Sequence, residues 1–210
     1  MNRIPSKEEI QEALEFRHTK AIQMKLNNAK VCICGLGGLG SAIAISLARM
    51  GVGHLHLVDF DCVDLCNINR QHYSLDEIGM EKTQAIAREI RRFSPYIELK
   101  LTSQKITENN FQDILKDEKY ICEAFDKAEE KAMLTNLVLE YFPDKFLVGA
   151  SGMAGYGNSN GINTKRITAH YFLCGDMNNG IENGLGLMAP RVMLCAAHQA
   201  NKIVELIINN

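Results

Sequence analysis

Between residues 59 and 82 the sequence gathers Asp59, Asn67, Arg70, Gln71 and Lys82. Arg70 and Lys82 are cations that could neutralise phosphate oxygens, and the charge that builds on them during group transfer. Just ahead lies Gly35-Leu36-Gly37-Gly38-Leu39-Gly40-Ser41, a G-x-G-x-x-G turn. Gly35 permits a tight turn, Gly37 lets a phosphate approach the backbone, and Gly40 lets a helix pack on a strand. The helix that follows offers free N–H groups and a positive dipole to an anion. Asp59 comes ~20 residues after the glycines, the spacing of an acid that binds a ribose hydroxyl. Asp126 closes a later apolar run. A carboxylate there suits Mg²⁺ bridging phosphates or, equally, the cap of the helix beginning at Lys127.

These residues need strands and helices to bring them together. Val31-Cys32-Ile33-Cys34 reads as a buried strand running into the glycine turn, and His54 to Asp59 as a second strand. Ala42 to Met50 between them is apolar nearly all round, so that helix is expected to be buried. Further strands are predicted at 97–101, 120–126 and 146–150, and helices at 82–93, 110–115, 128–141 and 191–208, the last with Pro190 in its first turn. Lys165 to Leu173 alternates and reads as one antiparallel strand. Residues 6–28 read as one leading helix, with Ser6 and Glu9 as a capping box and Phe16 on an apolar stripe. The pattern predicts an α/β fold: a Rossmann-like, doubly wound, mostly parallel sheet with an antiparallel extension in the C-terminal third. The 210 residues are expected to form a single nucleotide-binding domain, 1–210.

Composition narrows the partners. The net charge is −2 and the basic residues are dispersed, which disfavours nucleic acid and anionic membrane. No apolar run reaches the ~20 residues of a bilayer span, and the N-terminus lacks a signal-peptide core. Seven scattered cysteines suit a reduced, cytoplasmic protein. Cys32 and Cys34 read as small buried hydrophobes. Cys62, Cys66 and His72 are a candidate metal set without a clear fourth ligand. The glycine turn alone fits NAD as well as ATP, and an NAD(P)-binding oxidoreductase stays open as the alternative. Two cations beside a pyrophosphate already held by backbone favour ATP.

Beyond these local arguments the sequence resembles the ThiF/MoeB/HesA family, the bacterial relatives of the ubiquitin-activating enzymes. The glycine turn, Asp59 to Asp64, Asn67-Ile68-Asn69-Arg70-Gln71, Lys82, Asp126 and Met188-Ala189-Pro190 carry the resemblance, from about residue 28 to the end. It is most similar to short ThiF-type sulfur carrier protein adenylyltransferases. The resemblance implies adenylation of the C-terminal glycine of a ThiS-like, ubiquitin-fold sulfur carrier protein with ATP and Mg²⁺, in thiamine (thiazole) synthesis, by a homodimer. It implies that Gly35, Gly37, Gly38, Gly40, Asp59 and Asp61 frame the nucleotide. Asn67, Arg70, Gln71 and Lys82 would contact phosphates, and Asp126 would hold the metal. Arg17 would reach into a partner's site. Other family substrates are a peptide, a molybdopterin-synthase carrier or tRNA. Longer relatives carry two C-x-x-C pairs for zinc; this sequence has no C-x-x-C, so no such zinc site is expected. Relatives that bind the carrier covalently use a cysteine where this sequence has Gly180 to Gly184.

Overall fold

The computed structural model describes residues 3–180 and 184–210, so part of the Gly180 to Gly184 stretch lies outside the described residues. Ser6 opens helix α1 (Lys7–His18) with the capping box: its hydroxyl accepts from the Glu9 N–H at 3.2 Å, and the Glu9 carboxylate accepts from the Ser6 N–H at 2.7 Å. The expected single helix over 6–28 is in fact two. Thr19 breaks it at φ +75°, and α2 (Lys20–Asn28) follows. The Asn27 amide donates to Gln11 Oε1 at 2.7 Å. Sixteen residues apart on a straight helix they would be about 24 Å away, so this bond requires the chain to fold back. Gln23, fully buried, then donates to the Gly51 carbonyl at 3.0 Å and ties α2 to the rest of the chain. The fold-back leaves Phe16 exposed, against its expected place on a buried stripe.

The chain continues as β1 (Lys30–Cys34), α3 (Gly38–Arg49), β2 (His54–Val58), α4 (Lys82–Arg91), β3 (Glu98–Thr102), α5 (Phe111–Leu115), β4 (Tyr120–Glu123), α6 (Ala128–Tyr141), β5 (Phe146–Ala150), β6 (Asn163–Arg166), β7 (Tyr171–Gly175) and α7 (Ala189–Asn209). Seven strands form one sheet in the order β3-β2-β1-β4-β5-β7-β6. All neighbouring pairs are parallel except β6 with β7. The fold is therefore the expected α/β one, with a mostly parallel sheet and an antiparallel pair at its C-terminal end.

The single strand expected over 165–173 is instead this hairpin. Thr168 makes the bend: its hydroxyl oxygen accepts from the His170 and Tyr171 N–H groups at 3.2 and 3.0 Å. β7 then lies parallel to β5, and only β6 runs the other way.

Strand alternation divides the core. Val31 and Ile33 point to one face, packed with Ile43 and Leu47 of α3, Ile86 and Ile90 of α4, and Val192 and Ile203 of α7. Cys32 and Cys34 point to the other, with Leu115 of α5 and Leu134 and Val138 of α6. Both sheet edges, β3 and β6, carry exposed charges: Glu98 and Lys100 on one, Lys165 and Arg166 on the other. No helix among the described residues is long and apolar enough to cross a membrane.

Candidate active site

The chain leaves β1 toward β2 and β3, then returns to β4 on β1's other side. That reversal opens a crevice beyond the carboxyl ends of the strands. The glycine turn fills its floor. Gly35 sits at φ +92°, where side chains are strained, and its N–H donates to the Val58 carbonyl at 2.8 Å. A Cβ on Gly40 would lie 1.8 Å from the Gly35 carbonyl oxygen, so the helix can start this close only with glycine there. Gly37 is the open position: a Cβ there would meet only Gln71 Nε2, at 3.8 Å.

The polar loop after β2 is bonded to this turn at several points. Asp59 accepts the Leu36 N–H at 2.6 Å on one carboxylate oxygen and the Asp61 N–H at 2.8 Å on the other. The Tyr73 hydroxyl donates to the Leu36 carbonyl at 2.7 Å. Ser41 donates its hydroxyl to the Gly37 carbonyl at 2.7 Å and accepts the His72 N–H at 3.1 Å. Burial pushes the Asp59 carboxyl above its ordinary range, with Lys82 and the two N–H groups opposing. Burial also pushes the Tyr73 phenol well up, so it stays a neutral donor.

Lys82 begins α4 and is buried, with its ammonium 2.9 Å from Asp61 Oδ2. Among the described residues Arg70 is held by neutral oxygens: Asn67 Oδ1 at 3.1 Å, Asn69 Oδ1 at 2.9 Å and the Cys66 carbonyl at 3.3 Å. Asn67 thus orients Arg70. Gln71 is buried, and its Oε1 has no partner among the described residues. Across the crevice, Asp126 is exposed and makes no hydrogen bond or ion pair among the described residues. It is not the cap of α6, because Lys127 holds that position.

Together these groups line one cleft of about 890 Å³, within the range of ~300–1,000 Å³ typical of small-molecule sites. Gly35, Gly37, Gly38, Asp59 and Asp61 lie on it, as do Asn67, Arg70, Gln71, Lys82 and Asp126. Gly40 lies behind the turn, and Arg17, exposed on α1, is not on the cleft. Cys62 and Cys66 are exposed and do not meet His72 in a ligand cluster among the described residues.

Sequence reasoning missed two supports. Glu123, at the end of β4, is buried; it accepts from the Phe125 N–H at 2.8 Å and from the Lys131 ammonium at 3.1 Å, and so shapes the turn that presents Asp126. Arg191, in the first turn of α7, is buried; it pairs with Asp176 and donates to the Gly157 and Asn158 carbonyls at 2.7 and 3.1 Å. That clamp fixes the two glycine-rich loops whose Ser151 to Ala154 and Met177 to Gly180 form the cleft's far wall. Burial would raise the Asp176 carboxyl, but the Asn179 and Asn178 N–H groups and Arg191 hold it below the ordinary range. Residue type at the helix start was the one available signal for Arg191, and it does not reveal partners this far along the chain.

A sequence profile described as "ThiF family" matches residues 10–210. The chain belongs to the ThiF family. Among curated relatives, the ThiF-family chain is 34% identical over 117 residues to a tRNA threonylcarbamoyladenosine dehydratase of Escherichia coli, covering 55% of this chain and 43% of that protein. It is 33% identical over 115 residues to Adenylyltransferase and sulfurtransferase MOCS3 of Drosophila sechellia, covering 54% of this chain and 25% of that one. The match thus spans less than half the length of these relatives. Among solved structures, E. coli TcdA in complex with ATP superposes with a TM-score of 0.87 at 19% identity, covering 99% of this chain and 98% of that one. E. coli MccB with ATP superposes at 0.69 and 24% identity, covering 90% and 58%. These likenesses confirm the fold.

Proposed function

We propose that this ThiF-family protein is an ATP-dependent adenylyltransferase that activates the C-terminal glycine carboxylate of a ThiS-like, ubiquitin-fold sulfur carrier protein, in thiazole synthesis for thiamine. The observation that carries the nucleotide half is the pairing pattern in the cleft. Lys82, Lys105, Lys127 and Lys131 each have a carboxylate within 4.0 Å, whereas Arg70 has none among the described residues. A guanidinium oriented by neutral amides beside an open glycine turn is an anion site waiting for charge. Family membership and relatives described as adenylyltransferases, or solved with ATP, support the same reading.

The chain's own groups then have these roles. Backbone N–H groups at the start of α3 and the Gln71 amide face the phosphates, and Asp59 accepts a ribose hydroxyl on lone pairs that its two N–H donors leave free. Arg70 and Lys82 balance charge as the carboxylate oxygen bonds to the α-phosphorus and the bond to pyrophosphate breaks. Asp126 fits magnesium: a hard carboxylate, unengaged among the described residues, opposite the phosphate-facing cations. When bound there, magnesium supplies neutralisation of phosphate oxygens. Arg17, exposed on α1, is assigned to the cleft of a second copy in a homodimer. The reading ends at the acyl adenylate.

The test is ATP–pyrophosphate exchange with a purified carrier ending in two glycines, and with the same carrier lacking them. Exchange that needs the glycines supports the proposal; no exchange with any such carrier overturns its carrier half. Thermal stabilisation by NAD, without stabilisation by ATP–Mg²⁺, overturns the nucleotide half. A second reading, a carboxylate on tRNA, is favoured by the likeness to the tRNA threonylcarbamoyladenosine dehydratases. Exchange driven by tRNA and not by the carrier would select it.

A further inference from the structure

Beneath the glycine turn, on the sheet face away from α3, lies a group of side chains that the adenylation reading does not use. Cys32 on β1 is paired in register with His56 on β2, and Glu118 sits just before β4. The three donor atoms lie within 4.8 Å of one another, and all three residues are buried. His56 Nδ1 is 2.8 Å from Glu118 Oε1, and Glu118 Oε2 has no partner among the described residues. Cys34 Sγ lies 3.6 Å from Cys32 Sγ.

His56 Nε2 lies 2.8 Å from Thr102 Oγ1, which turns Nδ1 toward Glu118. Burial would push the His56 imidazole down, yet Cys32 and Glu118 raise it to about 9. Burial would push the Cys32 thiol up, yet Cys34 and His56 bring it to about 7. Glu118 is held below its ordinary range against burial, chiefly by His56. Lys100, half exposed, is the nearest further cation, 3.7 Å from Glu118 Oε1.

We propose that Cys32, His56 and Glu118 form a zinc site, with the Cys34 thiol beside it. Sulfur, imidazole nitrogen and carboxylate oxygen are the donors zinc takes, with bonds of about 2.0–2.3 Å that put tetrahedral ligands about 3.3–3.8 Å apart. The donors of Cys32, His56 and Glu118, all within 4.8 Å of one another, need close by no more than about 1.5 Å to reach that spacing. With zinc bound, Cys32 is a thiolate, His56 a neutral imidazole and Glu118 a carboxylate. The exposed flank of Lys100 is the way in. The site joins β1, β2 and the approach to β4, the three strands at the switch point. It shares no position with the C-x-x-C pairs of longer relatives.

The test uses the full chain, expressed in zinc-supplemented medium and purified under reductant, with metal content measured by mass spectrometry. The expected result is about one zinc per chain. The Cys62→Ser/Cys66→Ser double variant, which removes the exposed thiols, is expected to keep that loading. His56→Gln and Cys32→Ser are expected to lose at least about tenfold. Should those core variants fail to fold, the intact protein grown in cobalt answers instead: an intense near-ultraviolet thiolate-to-cobalt band, kept in the double variant, supports the site. Metal-free protein from zinc- and cobalt-fed cells, loading lost in the Cys62→Ser/Cys66→Ser variant, or loading unchanged in folded His56→Gln overturns it.

Discussion

Replacing Lys82 with methionine is expected to separate nucleotide binding from folding. The ammonium is buried, 6% exposed, and 2.9 Å from Asp61 Oδ2, whereas Asp61 is 51% exposed. The stranded carboxylate would therefore stay hydrated, and a pair screened in this way is worth about 0–1 kcal/mol. Methionine fills much of the same volume and removes a desolvated charge, which offsets part of that loss. The melting temperature of the free protein should therefore move by no more than about 2–4 °C. Binding responds differently. A phosphate charge ~4 Å from the ammonium gains about 4 kcal/mol at an effective dielectric of ~20. Lys82 shares its charge with Asp61, so about half of that remains, near the ~1.5–3 kcal/mol of a charged hydrogen bond. About 2 kcal/mol corresponds to ~30-fold weaker ATP–Mg²⁺ binding. AMP, without the outer phosphates, should weaken by less than about threefold on the same scale. Isothermal titration of both nucleotides against both proteins, with melting curves, reads all of this. This takes Lys82 to face the departing pyrophosphate; equal losses for AMP and ATP, or none for ATP, would refute that. A fall of about 10 °C in melting temperature would refute the screening argument.

Gly40→Ala should abolish ATP binding, because its Cβ would lie 1.8 Å from the Gly35 carbonyl and the turn must open; titration with ATP reads it. Arg191→Lys keeps a charge for Asp176 but cannot also reach both loop carbonyls, and should cost about 1–3 kcal/mol, with faster proteolysis within residues 151–158 as the readout. Thr19→Gly should raise the melting temperature, since a β-branched residue at φ +75° stores about 1–3 kcal/mol of strain and glycine gives back ~0.5–1 of it in entropy. AMP affinity should fall on acidification at a pH above the ordinary aspartate range. The sign follows from Asp59: burial raises its carboxyl, so the ionised carboxylate proposed to accept the ribose is present above that raised pKa and lost as pH falls through it. A titration series that falls only below about pH 4 would contradict this.

What could be read from the sequence was local. Glycine spacing, strand alternation and the acid at the end of β2 are short-range patterns, and they placed the turn, Asp59, Arg70, Gln71 and Lys82 on one cleft. The misses were of another kind. Nothing between Arg17 and Lys20 is a helix breaker; Thr19 turns there because Gln11 and Asn27 bond across the fold-back. The bend at Thr168 depends on a side chain closing its own loop. Cys32 reads as a small buried hydrophobe and is one, but its neighbours across the strands are set by register and were not legible. His56 faces it only once β2 lies beside β1 in that alignment, and Glu118 only once β4 lies on the other side. Arg191 and Asp176 likewise meet through the tertiary fold, not through any period in the chain.

The charged edges of the sheet carry a consequence for any protein that docks here. An open edge strand can recruit another strand through its unpaired N–H and carbonyl groups, a common way to hold an extended peptide. Glu98 and Lys100 at one border and Lys165 and Arg166 at the other make such zippering costly. A partner's flexible tail would then be gripped by the cleft's walls and loops, threaded toward the glycine turn instead of laid alongside the sheet. On the proposed function, recognition of a carrier would then rest on the last few residues of its tail and on the globular face behind it.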